Sequence, residues 1–402
     1  MPKTVSLTQA RKLIVDAIPV VAQTEVHLEE ALGRISARSL KAELAMPSFH
    51  QSTRDGFAVH DRDISRAAAG NPIELPITGE IAAGCTDPPE LQRDVAIKIM
   101  TGGLVPKGAN VVIPFEKCTE TPGKIRITAS LPPWANIRKT GSDLQRGKSI
   151  LPAGSEILPD HLSILATAGL NRIPVREKPR AAIYCTGSEL VPPGSRMEDG
   201  QVISGNRFLL GGLVSLNGGE VADCGTIRDD TGAIARTLGQ IDPDAVQLVL
   251  TTGGMGPGKY DLMEDVFSRL GIEPLFTSIN VRPGKSTMFG MAGNTAFFAL
   301  PGPPPAVRIL FHELVLPAIR KMQGRRRILS FPLQAELTED LSLKKKGMTN
   351  LKGAIFSYTQ KGLAVRPALK TEAINCIIHL SAAGKKFRRG DTVDINPVLL
   401  TP

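Results

Sequence analysis

The sequence predicts a multidomain α/β plus β protein, in which a parallel-sheet α/β domain lies between an elongated N-terminal helical/β region and a C-terminal β domain. Two observations favour this class. Between residues 180 and 322, strand-like segments, glycine turns and helix-like segments alternate, which is typical of a parallel sheet with helices on both faces. Before and after that stretch, short β-branched segments are broken by proline and glycine, which indicates β structure.

These patterns predict four parts of the chain. Residues 1–46 and 131–176 form an elongated helical linker domain, residues 47–130 a small β domain, residues 177–324 the α/β domain, and residues 325–402 the C-terminal β domain. A chain of 402 residues is too long for one ordinary hydrophobic core, which agrees with several domains.

In the N-terminal half, residues 7–45 are predicted to be helical because two sets of apolar residues recur at helical spacing. The first set is Leu13, Ile14, Ala17 and Ile18, and the second is Leu28, Ala31, Leu32 and Ile35. Short strands are predicted at 73–78, 94–99, 109–114 and 124–128, and a helix near 160–168.

In the α/β part, the alternation predicts strands at 181–184, 220–223, 248–250 and 295–300. The predicted helices are 206–217, 232–240, one that begins near Asp261, and 305–322. The C-terminal part has predicted strands at 328–337, 354–358, 363–366 and 392–396.

Composition excludes several classes of protein. The chain has no run of eighteen apolar residues and no apolar signal-peptide segment at its start, so we expect a cytoplasmic protein without a membrane span. Its five cysteines and six histidines are scattered, which disfavours a disulfide framework or a transition-metal centre. The net charge is +9, but the basic runs at 325–327 and 344–346 lack interleaved aromatics. We therefore expect an anionic small-molecule ligand and no nucleic acid.

Three glycine turns follow one another within about fifty residues of the α/β part. The first, at 253–258, joins a buried strand to a helix that begins near Asp261, and the others lie at 282–285 and 300–303. Glycine permits close approach of the backbone to a ligand, and a helix start offers unpaired N–H groups to an anion. Since ligands of open α/β sheets bind outside the carboxyl ends of the strands, the turns predict a phosphate or oxyanion site. Three ordinary strand-to-helix turns are the alternative.

Acidic and basic residues accompany these turns. Glu189, Asp261 and either Asp229 or Asp230 follow predicted strands, where carboxylates could hold Mg²⁺ beside substrate phosphates. Each aspartate could instead cap the helix that follows it. Arg282 and Lys285 flank a Pro-Gly pair and would place two cations beside a tetrahedral oxyanion, unless they form only a solvated charge pair.

Eight motifs in order resemble those of the molybdopterin molybdenumtransferases, the molybdenum insertases related to the C-terminal part of gephyrin, over nearly the full chain. The motifs are Ala31–Arg34 with Met46–Phe49, Ser52 with Asp55–Val59, Gly79–Gly84, Ile99–Ala109, Asn136–Arg138 with Gly141 and Asp143, Thr186–Gly187 with Glu189–Leu190, Thr252–Gly254, and Pro283–Lys285 followed by Leu300–Gly302. No single one of these motifs is decisive, but their order is.

The resemblance implies a function and a set of site residues. It implies a homodimer that takes adenylylated molybdopterin and molybdate, inserts molybdenum at the dithiolene with the help of Mg²⁺, and releases AMP. It also suggests a molybdopterin adenylyltransferase and molybdoenzymes as partner proteins. By position it assigns catalytic roles to Asp55, Glu189, Asp229 and Asp261, of which the last three would hold the metal. The implied substrate-binding residues are Thr186, Gly187, Gly253, Gly254, Gly258, Arg282, Pro283, Gly284, Lys285 and Gly302.

Several positions depart from the family pattern. Gly256 replaces a serine, Pro257 is inserted in the first turn, Lys259 replaces an acid, Pro303 replaces an asparagine and Ala306 replaces a serine. Acids of two other motifs are Asn110 and Ser142 here, and the C-terminal domain is shortened around 382–389. The losses favour a rival interpretation, a diverged paralogue that binds molybdopterin or a partner protein without inserting metal.

Overall fold

The computed structural model describes residues 4–255, 262–343, 347–380 and 386–398, with strands β1 to β28 and helices α1 to α7 in chain order. After strand β1 (Thr4–Val5), helix α1 (Leu7–Ala17) begins with a capping box, in which Gln9 N donates to Ser6 Oγ at 3.2 Å and Ser6 N donates to Gln9 Oε1 at 2.9 Å. Buried side chains of α1 join the core of the α/β domain.

The prediction of helix throughout residues 7–45 was wrong beyond Ala17. Pro19 follows the end of α1 and cannot continue a helix. The next segment is strand β2 (Gln23–His27), which pairs antiparallel with β13 (Arg172–Arg176), and only the short 3₁₀ turn Leu28–Glu30 follows it. Of the second apolar set, Leu28 and Ala31 therefore pack in a linker core, whereas Leu32 is exposed.

The rest of the N-terminal half contains the linker elements and the small β sheet. The linker elements are β3 (Leu40–Lys41), β4 (Gln51–Ser52), β11 (Ile137–Arg138), β12 (Ser149–Leu151) and α2 (Pro159–Thr167). The sheet has the strand order β8-β5-β7-β6-β10-β9. Its strands are β5 (Gly56–Val59), β6 (Ile73–Ile81), β7 (Ala96–Ile99), β8 (Val111–Pro114), β9 (Cys118–Thr121) and β10 (Lys124–Ile127).

The α/β domain has a central sheet of order β17-β14-β18-β23-β22-β19, in which the first four strands are parallel. These strands are β14 (Arg180–Thr186), β17 (Glu220–Ile227), β18 (Leu248–Thr252), β19 (Pro274–Phe276), β22 (Met288–Ala292) and β23 (Thr295–Leu300). Its helices are α3 (Asn206–Leu216), α4 (Thr231–Gly239), α5 (Leu262–Arg269), α6 (Pro304–Leu310) and α7 (Leu316–Met322), with a π-helical turn at Phe311–Val315 between the last two.

Alternate residues of the parallel strands face opposite layers of helices. Ala181 and Ile183 of β14 pack in one core with α1, α3 and α6, whereas Ala182 and Tyr184 pack in a second core with α4 and α5. Both faces of the sheet are thus buried, as parallel sheets require. The predicted α/β architecture is confirmed.

The C-terminal domain is a small β-barrel. Strands β24 (Leu333–Leu337), β25 (Thr349–Thr359), β26 (Gly362–Pro367), β27 (Cys376–Leu380) and β28 (Thr392–Pro397) pair in the order β25-β26-β24-β28-β27, and β27 closes on β25. Three short pairs complete the structure. They are β1 with β20 (Ser278–Ile279), β15 (Leu190–Val191) with β16 (Val202–Ile203), and β21 (Val281–Arg282) with barrel strand β25.

Glu313, in the π-helical turn, joins three parts of the molecule. Its carboxylate, 1% exposed, is paired with Arg11 of α1 and lies 2.9 Å from Nε2 of barrel residue His379. Asn396 Nδ2 of the barrel is 3.3 Å from the same carboxylate. Burial, followed by the charge of Arg11, lowers the pKa of His379 to about 4. Because an unpaired buried carboxylate is costly, this cluster fixes α1 and the barrel against the α/β domain.

No helix within the described ranges is long and apolar enough to span a lipid bilayer.

Candidate functional site

The four parallel strands end at one edge of the sheet, and their loops are linked by hydrogen bonds. Gly187 N, after β14, donates to Ile227 O of β17 at 3.1 Å. Gly253 N, after β18, donates to Leu300 O of β23 at 3.1 Å. The buried Thr186 hydroxyl contacts Thr252 O at 3.4 Å. The first and third glycine turns and the Thr186–Gly187 motif therefore lie together at the edge where α/β proteins bind ligands.

Gly253 allows the first glycine turn to approach strand β14 closely. Its φ is +97°, and a Cβ at this position would lie 2.2 Å from Thr186 O. Gly254 follows with φ +64° and faces the Thr186 hydroxyl. Only glycine combines this backbone conformation with this contact. The remaining predicted residues of the turn, Gly258 and Asp261, and the departures at 256, 257 and 259 lie outside the described residues.

The sequence interpretation missed Asn206, the first residue of α3. This side chain is 8% exposed, and its Nδ2 donates to Gly302 O at 2.8 Å and to Thr252 Oγ1 at 3.3 Å. It thus connects the first glycine turn with the third from beneath. Among the described residues, Asn206 Oδ1 and Ser204 Oγ are buried without a hydrogen-bond partner. The available signal was a polar Ser-Gly-Asn segment at the start of a predicted apolar helix.

The structure distinguishes Asp229 from Asp230. Asp230 is the N-cap of α4, since its Oδ1 accepts a hydrogen bond from Ala233 N at 2.6 Å. Asp229 has no capping role and lies beside the β14 loop, where its N–H donates to Ser188 Oγ at 3.4 Å. Glu189, in that same loop, folds its exposed carboxylate back towards Gly187.

The carboxylates of Glu189 and Asp229 are of the ligand type that Mg²⁺ prefers, but two carboxylates do not fill the coordination sphere of the ion. Within the described ranges, no three His, Cys, Asp or Glu side chains are grouped as metal ligands. Mg²⁺ is usually held by one or two carboxylates together with substrate phosphates and water. Glu189 and Asp229, on adjacent loops, could provide that number of protein ligands.

The second glycine turn lies on the barrel side of the α/β domain. Arg282 and Lys285 are exposed at its ends, and Arg282 belongs to the strand that pairs with the barrel. Gly284 has φ +105°, and a Cβ there would lie 2.7 Å from Leu310 of α6. Pro283 lines a cavity together with Pro304, just after the third turn. The cationic turn is thereby held against the helix that follows the third turn.

Asp55 lies elsewhere, at the start of the small β sheet. Its Oδ1 accepts hydrogen bonds from Thr101 N at 2.7 Å and from Thr101 Oγ1 at 2.8 Å. These bonds, the backbone one first, lower the pKa of the exposed Asp55 carboxyl. No hydrogen bond or ion pair in the described part of the chain connects Asp55 with the α/β domain.

Among the departures that the structure describes, Asn110 has a local structural explanation, whereas nothing in the structure explains Pro303 and Ala306. Pro303 precedes α6 without a side-chain cap, and Ala306 is buried in the first turn of that helix. Asn110 exchanges two hydrogen bonds with Asp61, accepting from Asp61 N at 2.8 Å and donating to Asp61 Oδ1 at 2.9 Å. The amide at 110 thus stabilises the small β domain.

Two family descriptions match successive parts of the chain. Residues 5–169 match the MoeA N-terminal region (domains I and II), and residues 182–321 match a probable molybdopterin binding domain. Curated relatives align with nearly the whole chain. The molybdopterin molybdenumtransferases of Staphylococcus epidermidis and Haemophilus influenzae are each 29% identical to this chain. The alignments cover 97% of this chain and 95% of the first relative, and 98% of both chains for the second.

The chain belongs to the molybdopterin molybdenumtransferase family. Solved structures agree with that assignment. Two crystal structures of the molybdopterin biosynthesis MoeA protein of Pyrococcus horikoshii superpose with TM-scores of 0.88 and 0.81, at 26% and 29% identity. They cover 98% of this chain and 99% and 100% of their own. Membership of the molybdenumtransferase family makes the chain an enzyme of molybdenum-cofactor biosynthesis, as the motif series predicted.

Proposed function

We propose that the chain inserts molybdenum from molybdate into adenylylated molybdopterin and releases AMP, with Mg²⁺ as cofactor. The observation that carries this proposal is the joining of three loops at one sheet edge, where Asn206 bonds both Thr252 and Gly302. The molybdenumtransferase relatives at 29% identity support the choice of substrate.

In this proposal the loops bind the substrate through their backbone. A Cβ built on Gly302 would lie 3.9 Å from the Cα of Gly253, so the backbones of the first and third turns lie close together. Because neither glycine has a side chain, the two turns form a narrow wall of backbone. Such a wall permits close contact with phosphate oxygens. The buried acceptor on Asn206 and the hydroxyl of Ser204 are free to bond a polar group of the ligand.

The charged residues divide into two groups. Arg282 and Lys285 would bind the oxyanion, because a guanidinium can hold two oxygens of a tetrahedral anion at once. Glu189 and Asp229 would hold Mg²⁺, which when bound would neutralise charge on the pyrophosphate oxygens. We propose that Asp55 completes the site from the second subunit of a homodimer, because it lies apart from the other residues within one subunit.

One assay tests this function directly. Purified protein is mixed with adenylylated molybdopterin, molybdate and Mg²⁺, and AMP release and molybdenum-loaded pterin are measured. We expect both products in equal amounts. Tight binding of the pterin without either product would contradict the enzyme and support the diverged binding protein.

A charge variant with a matched control strengthens the assay. Lys285→Ala is expected to lower turnover by about tenfold or more, because charge-assisted hydrogen bonds contribute about 1.5–3 kcal/mol. The control is Lys178→Ala, a lysine in the segment before β14, at the opposite end of the sheet from the loops. Equal losses in both variants would argue against an oxyanion site at the second turn.

We further propose a cytoplasmic location and interactions with a molybdopterin adenylyltransferase and with molybdoenzymes, which would supply the substrate and accept the product. Co-purification of the chain with either class of protein would test these partners.

A further inference from the structure

Two chain segments join the linker domain to the small β sheet, and they lie side by side. The outgoing segment (residues 46–55) ends in the turn that carries Asp55, and the returning segment (residues 131–144) follows strand β10. They pair antiparallel through β4 and β11, and a bridge between Met46 and Leu144 continues the pairing towards the linker domain. Together they form the joint that carries the small β domain.

Trp134, the only tryptophan of the chain, has an unusual backbone conformation in the returning segment. Its φ is +69°, and Asn136 follows with φ +57°. Bulky residues rarely adopt this left-handed region, because their Cβ approaches the backbone too closely. Such a conformation persists only where the surrounding structure fixes it. The contacts of the Trp134 side chain therefore have to offset the strain of its backbone.

The indole ring of Trp134 contacts both segments of the joint. The imidazole of His50, in the outgoing segment, meets it edge to face, with 5.3 Å between the ring centroids. Lys139 Nζ, in the returning segment, lies over the ring at 4.4 Å from its centroid. His50 is itself held in place, because its Nδ1 accepts a hydrogen bond from Thr140 N at 2.9 Å. The ring thus links the two segments at the level of the joint.

The backbone that follows the tryptophan is bonded to the small β sheet and to the Asp55 turn. Val112 N of strand β8 donates to Ala135 O at 3.1 Å. Thr53 N donates to Asn136 O at 3.0 Å, and Thr53 lies two residues before Asp55. The orientation of the small β domain and the place of the Asp55 carboxylate therefore depend on the same short stretch of chain.

We propose that Trp134 is a positioning residue for the insertion reaction. Its ring fixes the joint, the joint fixes the orientation of the small β domain, and that domain presents Asp55. The inference rests on the proposed function, in which Asp55 completes the site of a partner subunit. Because the substrate would bind to the α/β domain, loss of the ring should lower kcat and leave KM for the pterin substrate unchanged.

Three variants separate the ring from the backbone conformation. Trp134→Gly removes the ring and also the strain, because glycine adopts a positive φ freely. Trp134→Phe keeps an aromatic ring and keeps the strain. The matched control is Asp94→Gly, which relieves a φ of +60° just before β7 of the same domain, where Asp94 N donates to Asp63 Oδ2. Denaturant unfolding of each variant checks that it is folded.

Amide hydrogen exchange at Thr53 and Val112 measures opening of the joint, because both N–H groups donate to the residues that follow Trp134. We expect exchange at both amides to be about tenfold faster or more in Trp134→Gly, and close to the wild-type rate in Trp134→Phe and Asp94→Gly. In the insertion assay, kcat of Trp134→Gly should fall by about tenfold with KM unchanged, and Trp134→Phe should restore most of kcat.

Wild-type exchange and wild-type kcat in Trp134→Gly would overturn the proposal. Faster exchange with an unchanged kcat would also overturn it, because the ring would then hold the joint without serving the reaction. Equal losses of kcat in Trp134→Gly and Asp94→Gly would likewise contradict a specific role of the ring. A wild-type chain that inserts no molybdenum refutes the proposed function, whereas exchange at the two amides still decides whether Trp134 fixes the joint.

Discussion

The loops at the carboxyl edge of the α/β sheet and the turn that carries Asp55 both contain predicted site residues, but different forces shape them. At the sheet edge, close backbone contacts hold the loops, as between Gly253 and Thr186, and the buried amide of Asn206 supports them. Asp55 is an exposed carboxylate held by two hydrogen bonds from one residue, Thr101. A substitution should therefore disrupt the shape of the first region but only the chemistry of the second.

The largest effect is expected at Gly253. Alanine there would be strained at φ +97° and its Cβ would lie 2.2 Å from Thr186 O, so the loop must move. We expect turnover to fall by about 100-fold, since displacements of about 1 Å have such effects, and stability to fall by about 1–3 kcal/mol. Product formation and denaturant unfolding are the measurements.

Gly33→Ala is the matched control for Gly253→Ala. Gly33 also has a positive φ, +72°, but no atom lies within 4 Å of the position of its Cβ. The Gly33→Ala variant should therefore lose stability through backbone strain but keep its turnover. A Gly253→Ala variant with the turnover of Gly33→Ala would show that the close contact at the sheet edge is unimportant.

The distance between the two regions within one subunit leads to a second prediction. If Asp55 completes the site of a partner subunit, mixing two impaired variants, Asp55→Ala and Lys285→Ala, should raise turnover above that of either variant alone. Random reassociation gives half mixed dimers with one intact site each, and therefore about a quarter of wild-type turnover. The measurement is product formation after the two variants are unfolded together and refolded. A mixture no more active than its components would show that Asp55 does not complete the site of the partner subunit.

Asn206 tests the buried support of the sheet edge. Asn206→Ala removes two hydrogen bonds, to Gly302 O and Thr252 Oγ1, and leaves the part-buried Gly302 carbonyl without this donor. We expect a loss of about 1–3 kcal/mol in unfolding free energy and a rise in KM for the pterin substrate. Asn217→Ala, at the other end of α3, loses one hydrogen bond to Leu213 O and should leave KM unchanged. Identical KM values in the two variants would contradict the role of Asn206.

The same contrast explains how much could be predicted from the sequence. Strand 295–300 was predicted with its observed bounds, because a strand buried on both faces is a continuous apolar run between turns. The helix predicted around residues 28–35 was wrong. The spacing of apolar residues is a local pattern, and it could not reveal that the preceding strand β2 pairs with β13 at residues 172–176. Strand β27 was missing from the predicted strands of the C-terminal domain.

Contacts at the site depend even more on distant parts of the chain. The bond from Asn206 to Gly302 joins residues 96 positions apart, and no local pattern reveals it. The choice between Asp229 and Asp230 also required the cap geometry of α4. Ordered motifs predicted which loops form the site, whereas the buried polar groups between the loops required the structure.

The smallest effect is expected at Thr101, and it concerns pH. Hydrogen bonds from Thr101 lower the pKa of Asp55 below its ordinary value of 3.8, so the folded state keeps this carboxylate ionised at lower pH than the unfolded chain does. The contribution to stability is present above the ordinary pKa and is lost as pH falls through the lowered folded value. Thr101→Val removes the hydroxyl bond but keeps the larger backbone bond, so the pKa of Asp55 should rise only part of the way.

An NMR titration of the Asp55 carboxyl measures this shift, and the acid limb of the turnover profile should move to higher pH in the same direction. Thr53→Val is the control, because Thr53 is exposed in the same turn and its hydroxyl forms no hydrogen bond within the described ranges. If Thr101→Val shifted the titration but left the acid limb in place, Asp55 would be ionised in the way the structure indicates without taking part in turnover. Its hydrogen bonds would then serve the small β domain, and only the sheet edge and the cationic turn would remain as the site.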